Sequence, residues 1–345
     1  MNVLVTGGAG YIGSHCALAL MQSEYDVVIF DNLSTGHQET VDTLSKCRHS
    51  GHFLGFQKGD LSNMNDLDKA FDSFHIDAVM HFAAFSQVAE SMKDPGKYYR
   101  NNVLGTLNLL DAMRIHSVMM IVFSSTAATY GEPEYTPIDE NHPQNPINPY
   151  GNSKLMIERI MDDYDMAYGL RNVRLRYFNV AGADSEGRIG EWHEPETHLI
   201  PNILKSTFGN GREFSMFGTD YQTRDGTCIR DYVNVEDLAD AHVRAMKYLE
   251  EGGKTDYFNL GTNSGSSVKE VFDSCERITG KTIPLKVCGR RPGDPAVLIA
   301  DNKKAKETLG WEPERTLDDS IRTAYKWEKG NWRNLDSDES MAGDG

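Results

Sequence analysis

The sequence predicts an α/β fold: a Rossmann-type, doubly wound parallel sheet followed by a smaller, mixed α/β C-terminal lobe. Three observations predict it. Short apolar runs alternate with helix-like segments through the first half of the chain. These runs are continuously apolar, which is typical of strands buried on both faces. A glycine-rich string lies between the first run and the first helix-like segment.

The elements follow in chain order. Strands are expected at residues 3–6, 27–30, 53–57, 78–81 and 119–123. In the first half, helices are expected at residues 12–21, 64–74, 97–115 and 150–168. After about residue 180, Gly, Pro and Asp interrupt the pattern, and shorter helices are expected at 199–208, 236–249, 268–278 and 317–327.

The chain is therefore divided into a dinucleotide-binding domain at 1–180 and a substrate-binding lobe at 181–330. Residues 233–262 are expected to return to the first domain. The last ten residues, from Asp336, carry four acids and no base. We interpret residues 331–345 as an acidic, solvated tail.

Composition excludes several classes of protein. The formal net charge of -16 argues against a nucleic-acid or anionic-membrane binder. No apolar run approaches the length of about 18–20 residues that spans a bilayer. The five cysteines are scattered and never in C-x-x-C spacing, which favours the reducing cytoplasm: Cys16, Cys47, Cys228, Cys275 and Cys288.

The eleven histidines form no metal-binding signature in the sequence. The closest pairs are His49/His52 and His193/His198, and neither has a third ligand at useful spacing. No metal is therefore predicted.

The glycine-rich string is GGAGYIG, residues 7–13, in which Gly7, Gly10 and Gly13 recur at every third position. Missing side chains let the backbone approach a pyrophosphate, and the following helix offers free N–H groups. A plain turn is the alternative interpretation.

Two acids follow strands of the same predicted sheet. Asp31 comes directly after the second strand, where a carboxylate accepts hydrogen bonds from the ribose hydroxyls of a dinucleotide. It also repels a 2′-phosphate, so NAD is favoured over NADP. Asp60 ends the third strand and is within reach of an adenine. Helix caps, turn residues or surface acids are the alternatives.

Tyr150 and Lys154 are four residues apart on one face of a predicted helix, with Asn148 as its N-cap and Gly169 at its end. A cation beside a phenol lowers its pKa and makes a base that takes a proton from a sugar alcohol. The spacing alone is weak evidence, because Tyr325 and Lys329 repeat it near the C-terminus. Tyr150, however, follows a strand that ends in hydroxyl side chains, the last of them at Thr126.

In these motifs the chain resembles the extended short-chain dehydrogenases/reductases, and among them it is closely similar to the UDP-glucose (UDP-galactose) 4-epimerases. The similarity covers about residues 1–328. The strings that carry it are VTGGAGYIGSH at 5–15, FDNL at 30–33, HFAA at 81–84, YYRNNV at 98–103, FSSTAATYG at 123–131, RYFNVAGA at 176–183 and DGTCIRDY at 225–232.

The resemblance implies an NAD-dependent inversion at C4 of a UDP-hexose, a cytoplasmic homodimer, and roles for matching positions. Tyr150, Lys154 and Thr126 are the implied catalytic residues. The implied NAD site comprises Gly7, Gly10, Tyr11, Ile12, Gly13, Asp31, Asn32, Asp60, Leu61, Phe82, Ala83, Asn101, Tyr150, Lys154 and Phe178. The implied UDP-sugar site comprises Thr126, Tyr150, Asn179, Leu199, Phe217, Arg230, Arg291, Asp294 and Leu298.

This chain departs from the family pattern at several positions. Thr126 replaces a common Ser and keeps the hydroxyl. Asn234 stands where His is common. Leu298 occupies a pocket-closing position that is sometimes Tyr. The smaller side chain leaves room for an N-acetyl group at C2, so UDP-GalNAc and UDP-GlcNAc are additional candidate substrates.

Other activities remain alternatives. Related 4,6-dehydratases place Asp-Glu after the Thr, whereas Thr126 is followed by Ala127 and Ala128. Related decarboxylases place a Glu there. A non-catalytic dinucleotide sensor is the third alternative, and such proteins commonly lose the Tyr–Lys pair that is intact here.

Overall fold

A computed structural model describes residues 1–208, 213–291 and 294–341, with side chains described up to residue 330. The strands in these ranges, β1 to β14 in chain order, are Asn2–Thr6, Asp26–Asp31, Phe53–Lys58, Ala78–His81, Met120–Thr126, Arg171–Tyr177, Asn179–Ala181, Phe214–Phe217, Ile229–Arg230, Tyr232–Asn234, Asp256–Leu260, Ser266–Ser267, Leu285–Cys288 and Val297–Leu298.

The α-helices in the same ranges, α1 to α12, are Tyr11–Gln22, Gln38–Lys46, Met64–Ser73, Val88–Lys93, Pro95–Tyr98, Gly105–Ile115, Pro149–Tyr168, Leu199–Lys205, Val235–Glu250, Val268–Thr279, Lys303–Leu309 and Leu317–Met341. A π-helical turn at Tyr99–Leu104 joins α5 to α6, and a 3-10 turn at Ala127–Thr129 follows β5.

Seven parallel strands form the main sheet, in the order β11-β6-β5-β4-β1-β2-β3. Chain order reverses between β1 and β4, which is the switch point where open α/β sheets bind ligands. Helices α1 and α9 pack on one face, and α3, α6 and α7 pack on the other. The predicted Rossmann-type sheet is confirmed.

Local sequence signals explain the helix that carries Tyr150. The Asn148 side chain accepts a hydrogen bond from the Gly151 N–H at 2.8 Å, as an N-cap does. Pro149 begins α7, where its missing N–H costs nothing. Gly169 ends it in the left-handed conformation, φ 74°. The predicted caps of this helix are therefore confirmed.

Several predicted elements differ in extent. The single helix expected at 97–115 is interrupted by the π-helical turn. Strand β5 ends at Thr126, so it includes the hydroxyl residues that follow the apolar run predicted at 119–123. Strand β6 was missed, because its two inward arginines, Arg174 and Arg176, break the apolar run; both are buried. The last helix was expected to end at residue 327 and instead continues to Met341.

The second lobe is built from small sheets and helices. Strands β10 and β7 pair, β12, β9 and β14 form a three-stranded sheet, and β13 pairs with β8. Helices α8, α10 and α12 share a separate apolar core. Strand β11 and helix α9, from the segment 233–262, instead pack with the main sheet. The division near residue 180 stays a prediction, and the side chains of the acidic tail lie outside the described residues.

Among the described residues, no helix combines the length and apolar character that crossing a membrane requires.

Candidate active site

The glycine-rich turn is held between strand ends and the start of α1. The Gly7 N–H donates to the carbonyl of Phe30 at 2.8 Å, and the Gly10 N–H donates to the Gly7 carbonyl at 3.2 Å. Gly10 is the N-cap of α1, and the first turn of that helix carries no acidic residue. The helix therefore presents free N–H groups and a positive dipole end beside the turn.

A Cβ added at each of the three glycines would have a different neighbour. A Cβ on Gly13 would lie 2.2 Å from the Gly7 carbonyl oxygen, and a Cβ on Gly7, at φ +73°, would lie 2.6 Å from the Ala83 nitrogen. A Cβ on Gly10 would meet only the Gly7 carbonyl, at an ordinary 3.4 Å. Gly7 and Gly13 are thus required by the chain's own packing, whereas Gly10 keeps space open outside it. This cradle fits a pyrophosphate.

The predicted ribose and adenine contacts lie together at the carboxyl edge of the sheet. Asp31 is buried, and its carboxylate accepts hydrogen bonds from the N–H groups of Ala9 and Leu33, at 3.0 and 2.8 Å. Burial raises the pKa of Asp31, against those two hydrogen bonds. Next to it, the Asn32 amide donates to the Asp60 carboxylate at 2.7 Å.

The remaining residues assigned to NAD lie around this edge. The N–H groups of Phe82 and Ala83 both donate to the Thr6 carbonyl, which places them beside the glycine turn. Leu61 follows β3 and is buried. Asn101 lies in the π-helical turn, a form often found at functional sites. Phe178 lies directly between β6 and β7.

The three residues predicted to be catalytic meet where β5 ends. The rings of Tyr150 and Tyr98 form an edge contact, with centroids 6.5 Å apart. Thr126 is the last residue of β5, and its hydroxyl is close enough to the Tyr150 phenol to lower its pKa. Lys154 is buried one turn further along α7, and its ammonium donates to the Ser124 carbonyl at 2.8 Å. The phenol, hydroxyl and ammonium groups predicted to be catalytic are therefore held by a strand end and a helix.

Electrostatics correct one expectation. Burial raises the pKa of the Tyr150 phenol above its ordinary value, and the Thr126 hydroxyl opposes that shift. Burial also lowers the pKa of Lys154 to about 7, against the charge of Glu158. The expectation that Lys154 lowers the Tyr150 pKa below its usual value is therefore wrong for the chain by itself. Desolvation dominates at Tyr150, so phenolate needs further positive charge.

A buried polar network behind the site was missed from the sequence. Glu158, on α7, accepts hydrogen bonds from Ser125 and from the Arg176 guanidinium, the latter at 2.9 Å from Nε. The Glu158 side chain is only 2% exposed and the Arg176 side chain only 4%. Glu158 lies four residues after Lys154 on the same helix, and that spacing was the available signal. The network fixes α7 against β5 and β6.

A buried histidine, also missed, joins three elements beneath the glycine turn. His81 Nδ1 lies 2.6 Å from the Thr6 hydroxyl, and Nε2 lies 2.8 Å from the Thr106 hydroxyl. Burial, with the nearby charge of Lys154, lowers the pKa of His81 to about 3. It is therefore a neutral connector between strands β1 and β4 and helix α6.

Three residues assigned to the UDP-sugar lie together in the second lobe. Leu298 pairs with Arg230 across strands β14 and β9. The Arg230 guanidinium donates to the Asp294 carboxylate. Arg230 is buried, while the Asp294 side chain remains 31% exposed. This corner presents a held cation and a partly open carboxylate.

The other substrate-assigned residues are more dispersed. The Arg291 guanidinium lies over the Phe217 ring, 4.1 Å from its centroid. The Asn179 N–H donates to the Asp231 carbonyl at 2.9 Å, which ties β7 to the segment after Arg230. Leu199 begins α8 and packs against the core of the second lobe. Asn234, at the departure from the family pattern, is the N-cap of α9.

One expectation about histidines is wrong. The pair His193/His198 does have further potential ligands, because Glu191 and Glu196 lie with it on the loop between β7 and α8. One ligand atom from each of the four lies within 4.8 Å of the others. The sequence signal was the pattern E-x-H-x-x-E-x-H at 191–198, in which the acids were overlooked. We call these four residues the loop cluster: Glu191, His193, Glu196 and His198.

The loop cluster adjoins the glycine turn. The rings of His193 and Tyr11 form an edge contact with centroids 6.4 Å apart. Burial lowers the pKa of His193 and His198, but the carboxylates of Glu191 and Glu196 outweigh it and raise their pKa values to about 9 and about 10.

Comparisons with known proteins agree along most of the chain. A family model described as GDP-mannose 4,6 dehydratase matches residues 4–324. A UDP-glucose 4-epimerase of Lactobacillus helveticus is 52% identical over 330 residues, which is 95% of this chain and 97% of that protein.

Two solved structures are similar over almost their whole length. The UDP-glucose 4-epimerase of Brucella ovis in complex with NAD is 49% identical, with a TM-score of 0.88, over 94% of this chain and 97% of that one. The UDP-glucose 4-epimerase of Bifidobacterium longum in complex with NAD+ and UDP is 38% identical, also with a TM-score of 0.88, over 96% and 99%.

Proposed function

Because the chain belongs to the UDP-glucose 4-epimerase family, we propose that it is an NAD-dependent enzyme that reversibly inverts C4 of UDP-galactose and UDP-glucose. The observation that carries the proposal is the position of Tyr150. Tyr150 lies in the first turn of α7, where the Thr126 hydroxyl lowers its pKa, at the carboxyl edge of the sheet that also holds the glycine turn.

The chain's residues fit NAD. The Gly7–Gly13 cradle and the start of α1 would hold the pyrophosphate, Asp31 the adenosine ribose, and Asp60 the adenine side. When bound, NAD supplies the two-electron oxidant and a positive charge at its nicotinamide ring. That charge is the kind that the buried Tyr150–Lys154 pair requires for phenolate formation.

The proposed reaction proceeds through a 4-keto sugar. Tyr150 accepts the proton of the C4 hydroxyl as C4 is oxidised, and Thr126 positions the same oxygen. Arg230 and Arg291 hold the diphosphate of UDP, since each offers a charged fork of donors. The hexose then turns about its diphosphate link. Tyr150 returns the proton as C4 is reduced on the opposite face, which inverts the centre.

The description of the matching family model also suggests dehydration. Elimination of water next to the ketone needs an additional acid and base. The positions after Thr126 are Ala127 and Ala128, which form the 3-10 turn and carry no titratable group. Epimerisation, which needs only the Tyr150 proton transfer, is therefore favoured.

The test is to incubate the purified full chain, without added NAD, with UDP-galactose and to identify the products. The expected product is UDP-glucose, with no 4-keto-6-deoxy sugar. A dehydrated sugar, or bound NAD without any conversion of UDP-hexoses, would replace the proposal by one of its alternatives.

The substrate range is proposed to include UDP-GalNAc and UDP-GlcNAc. Leu298 pairs with Arg230 beside the assigned diphosphate site, and its side chain is smaller than a tyrosine. Leu298→Tyr should reduce the rate on UDP-GalNAc more than tenfold relative to the rate on UDP-galactose, of the order expected for a filled pocket. Equal loss on both substrates would show that Leu298 does not select the sugar.

We also propose a cytoplasmic homodimer. Apolar side chains are exposed along the helical segments 99–115 and α7: Leu104, Ile115, Met156, Met166 and Tyr168. Apolar exposure concentrated on two helical segments is typical of a subunit interface. The five cysteines are all free, which is consistent with a reducing compartment. Light scattering on the eluting protein should give twice the chain mass of 38.6 kDa.

A further inference from the structure

We propose that the loop cluster is a binding site for one divalent transition-metal ion of the zinc class. The proposal is independent of the proposed epimerase activity. It rests on the donor geometry, on buried atoms that have no hydrogen-bond partner, and on the chemistry of the donors.

The donor geometry matches four-coordinate zinc. Bonds of about 2.0–2.2 Å in a tetrahedron place the donor atoms roughly 3.4 Å apart. His193 Nδ1 lies 3.3 Å from Glu191 Oε1 and 3.8 Å from Glu196 Oε2. The corresponding distances from His198 Nδ1 are 2.7 Å to Glu191 Oε1 and 3.2 Å to Glu196 Oε1. These separations bracket the tetrahedral value, so small side-chain rotations bring the donors onto one ion.

Two of the atoms in the cluster need a partner. His193 Nδ1 and Glu196 Oε2 are both buried, and among the described residues neither forms a hydrogen bond. The Glu196 side chain is only 3% exposed, so water does not solvate it freely. The ion pairs of the cluster provide no hydrogen bond to these two atoms, whereas a cation between them would bind both.

The Glu196 carboxylate is also oriented for this role. Its Oε1 accepts hydrogen bonds from the N–H groups of Thr197 and His198, both at 2.8 Å. The indole of Trp327 donates to the Glu191 carbonyl at 3.0 Å. Such outer contacts hold ligands in place in metal sites. The four ligands lie within eight residues of chain, so closing the site orders little additional backbone.

Charge and donor type select the ion. When the cation binds, it displaces the protons of both imidazoles, and two carboxylates with two neutral imidazoles then balance its divalent charge. Lys205 lies beside Glu196 and Glu328, 3.9 Å and 4.0 Å from their respective carboxylate oxygens. Nitrogen and oxygen donors in a tetrahedral set favour Zn²⁺, whereas Mg²⁺ and Ca²⁺ prefer sets of oxygen ligands.

The position of the loop indicates what the ion does. Tyr11, the first residue of α1, donates its hydroxyl to the Gly182 carbonyl and contacts the His193 ring. His37 stacks on Trp192, with ring centroids 3.9 Å apart. The loop therefore covers the glycine turn from the second lobe, and a cation in the cluster fastens it there.

The experiment uses untagged full chain stripped with a chelator and then equilibrated with ZnCl₂ or, separately, MgCl₂. After gel filtration, elemental analysis should find about one zinc per chain and no retained magnesium. At about a hundredfold excess over Kd, Zn²⁺ should raise the thermal unfolding midpoint by a few degrees. Substituted Co²⁺ should give the intense visible absorption of a tetrahedral site.

Variants locate the ion. The double variant His193→Ala/His198→Ala should retain no stoichiometric zinc. Glu196→Gln, which preserves shape if the double variant does not fold, should weaken binding more than about tenfold, since even outer contacts are worth that much. His52→Ala is the control, because it removes an exposed histidine 2.7 Å from Asp26. The proposal is overturned if wild-type protein retains no zinc, or if Glu196→Gln binds zinc as tightly as wild type.

Discussion

The pKa values of buried histidines are shifted in opposite directions in the two regions that border the active site, the main sheet and the loop cluster. In the sheet region, burial lowers the pKa of His81 to about 3 and that of His242 to about 4, so both are neutral. In the loop cluster, neighbouring carboxylates raise the pKa of His193 to about 9 and that of His198 to about 10, although burial opposes them. Histidine is thus a neutral connector in one region and a charged partner in the other.

This difference indicates that the two regions contribute to different properties of the protein. The sheet region holds its polar groups buried and hydrogen-bonded. Changes there should therefore alter the chemical step and the free energy of unfolding. The second lobe holds charged groups in ion pairs, among them Arg230 with Asp294, so changes there should alter substrate binding. The predictions below separate these two kinds of effect.

The largest expected effect concerns the phenol at the end of β5. Tyr150→Phe removes the only group assigned to the C4 proton, so kcat for UDP-galactose should fall by about 10²–10⁴, the usual contribution of a general base. KM should change little, because the Tyr150 hydroxyl is assigned to the proton transfer and the UDP contacts are assigned to the second lobe. Steady-state kinetics with product detection measure both constants.

Tyr164→Phe is the matched control. Tyr164 lies on the same helix, and its hydroxyl donates to Asp111 rather than to the active site. It should keep near wild-type kcat. If Tyr150→Phe retained more than half of the wild-type rate, the sheet region would not supply the base.

The second effect concerns stability. Glu158→Gln leaves the Arg176 charge buried without its carboxylate, and breaking a buried pair in this way costs about 3–5 kcal/mol. The urea midpoint should drop correspondingly. In Asp240→Asn, which breaks an exposed helical pair with Arg244, the cost should be only about 0.3–0.5 kcal/mol. Equal costs for the two variants would contradict the claim that the sheet region holds its polar groups buried and hydrogen-bonded.

The third effect is on pH dependence. Because the folded pKa of His81 is about 3 and the unfolded value is about 6.5, the unfolded chain binds the extra proton between these values. Stability is therefore retained above pH 6.5 and lost as the pH falls toward 3, by up to about 1.4 kcal/mol per pH unit.

His81→Gln keeps a hydrogen-bonding side chain between Thr6 and Thr106 but does not titrate. Urea denaturation at several pH values should show a shallower loss on acidification for this variant than for wild type. His52→Gln, whose histidine is 74% exposed, should keep the wild-type slope. An unchanged slope in His81→Gln would mean that His81 is already protonated in the folded protein.

Much of the sheet region could be predicted because its signals are local. The glycines, the acid at Asp31 and the caps of α7 each act within a few residues of chain, so spacing reveals them. Tyr325 and Lys329 show the limit of this method. Their spacing equals that of Tyr150 and Lys154, but Tyr325 packs in the second lobe, and only the strand before α7 distinguishes the pairs.

The parts that could not be predicted depend on contacts between distant segments. Strand β6 was missed because Arg174 and Arg176 interrupt its apolar pattern. The sequence does not show that both donate hydrogen bonds to Glu158, which allows them to be buried. The Tyr150 pKa was misjudged because it is raised by burial, a property of the whole fold. The acids of the loop cluster were overlooked because alternate loop residues carry no periodic signal.

The smallest predicted effect tests the second lobe with two adjacent arginines. Arg291 lies over Phe217, whereas the Arg290 guanidinium donates to the Asp220 carboxylate at 2.7 Å. Arg291→Gln should raise KM for UDP-galactose about tenfold and leave kcat unchanged. The loss, about 1.4 kcal/mol, is that of one charge-assisted hydrogen bond to a partly solvated diphosphate.

Arg290→Gln should leave KM nearly unchanged, because the charge it removes is already compensated by Asp220. The dependence of KM on ionic strength provides a second measurement. Raising the ionic strength should increase the wild-type KM more than that of Arg291→Gln, since only the wild type loses a screened attraction to the substrate. A fall in kcat for Arg291→Gln, with KM constant, would mean that the second lobe acts on the chemical step, and the division of work between the two regions would not hold.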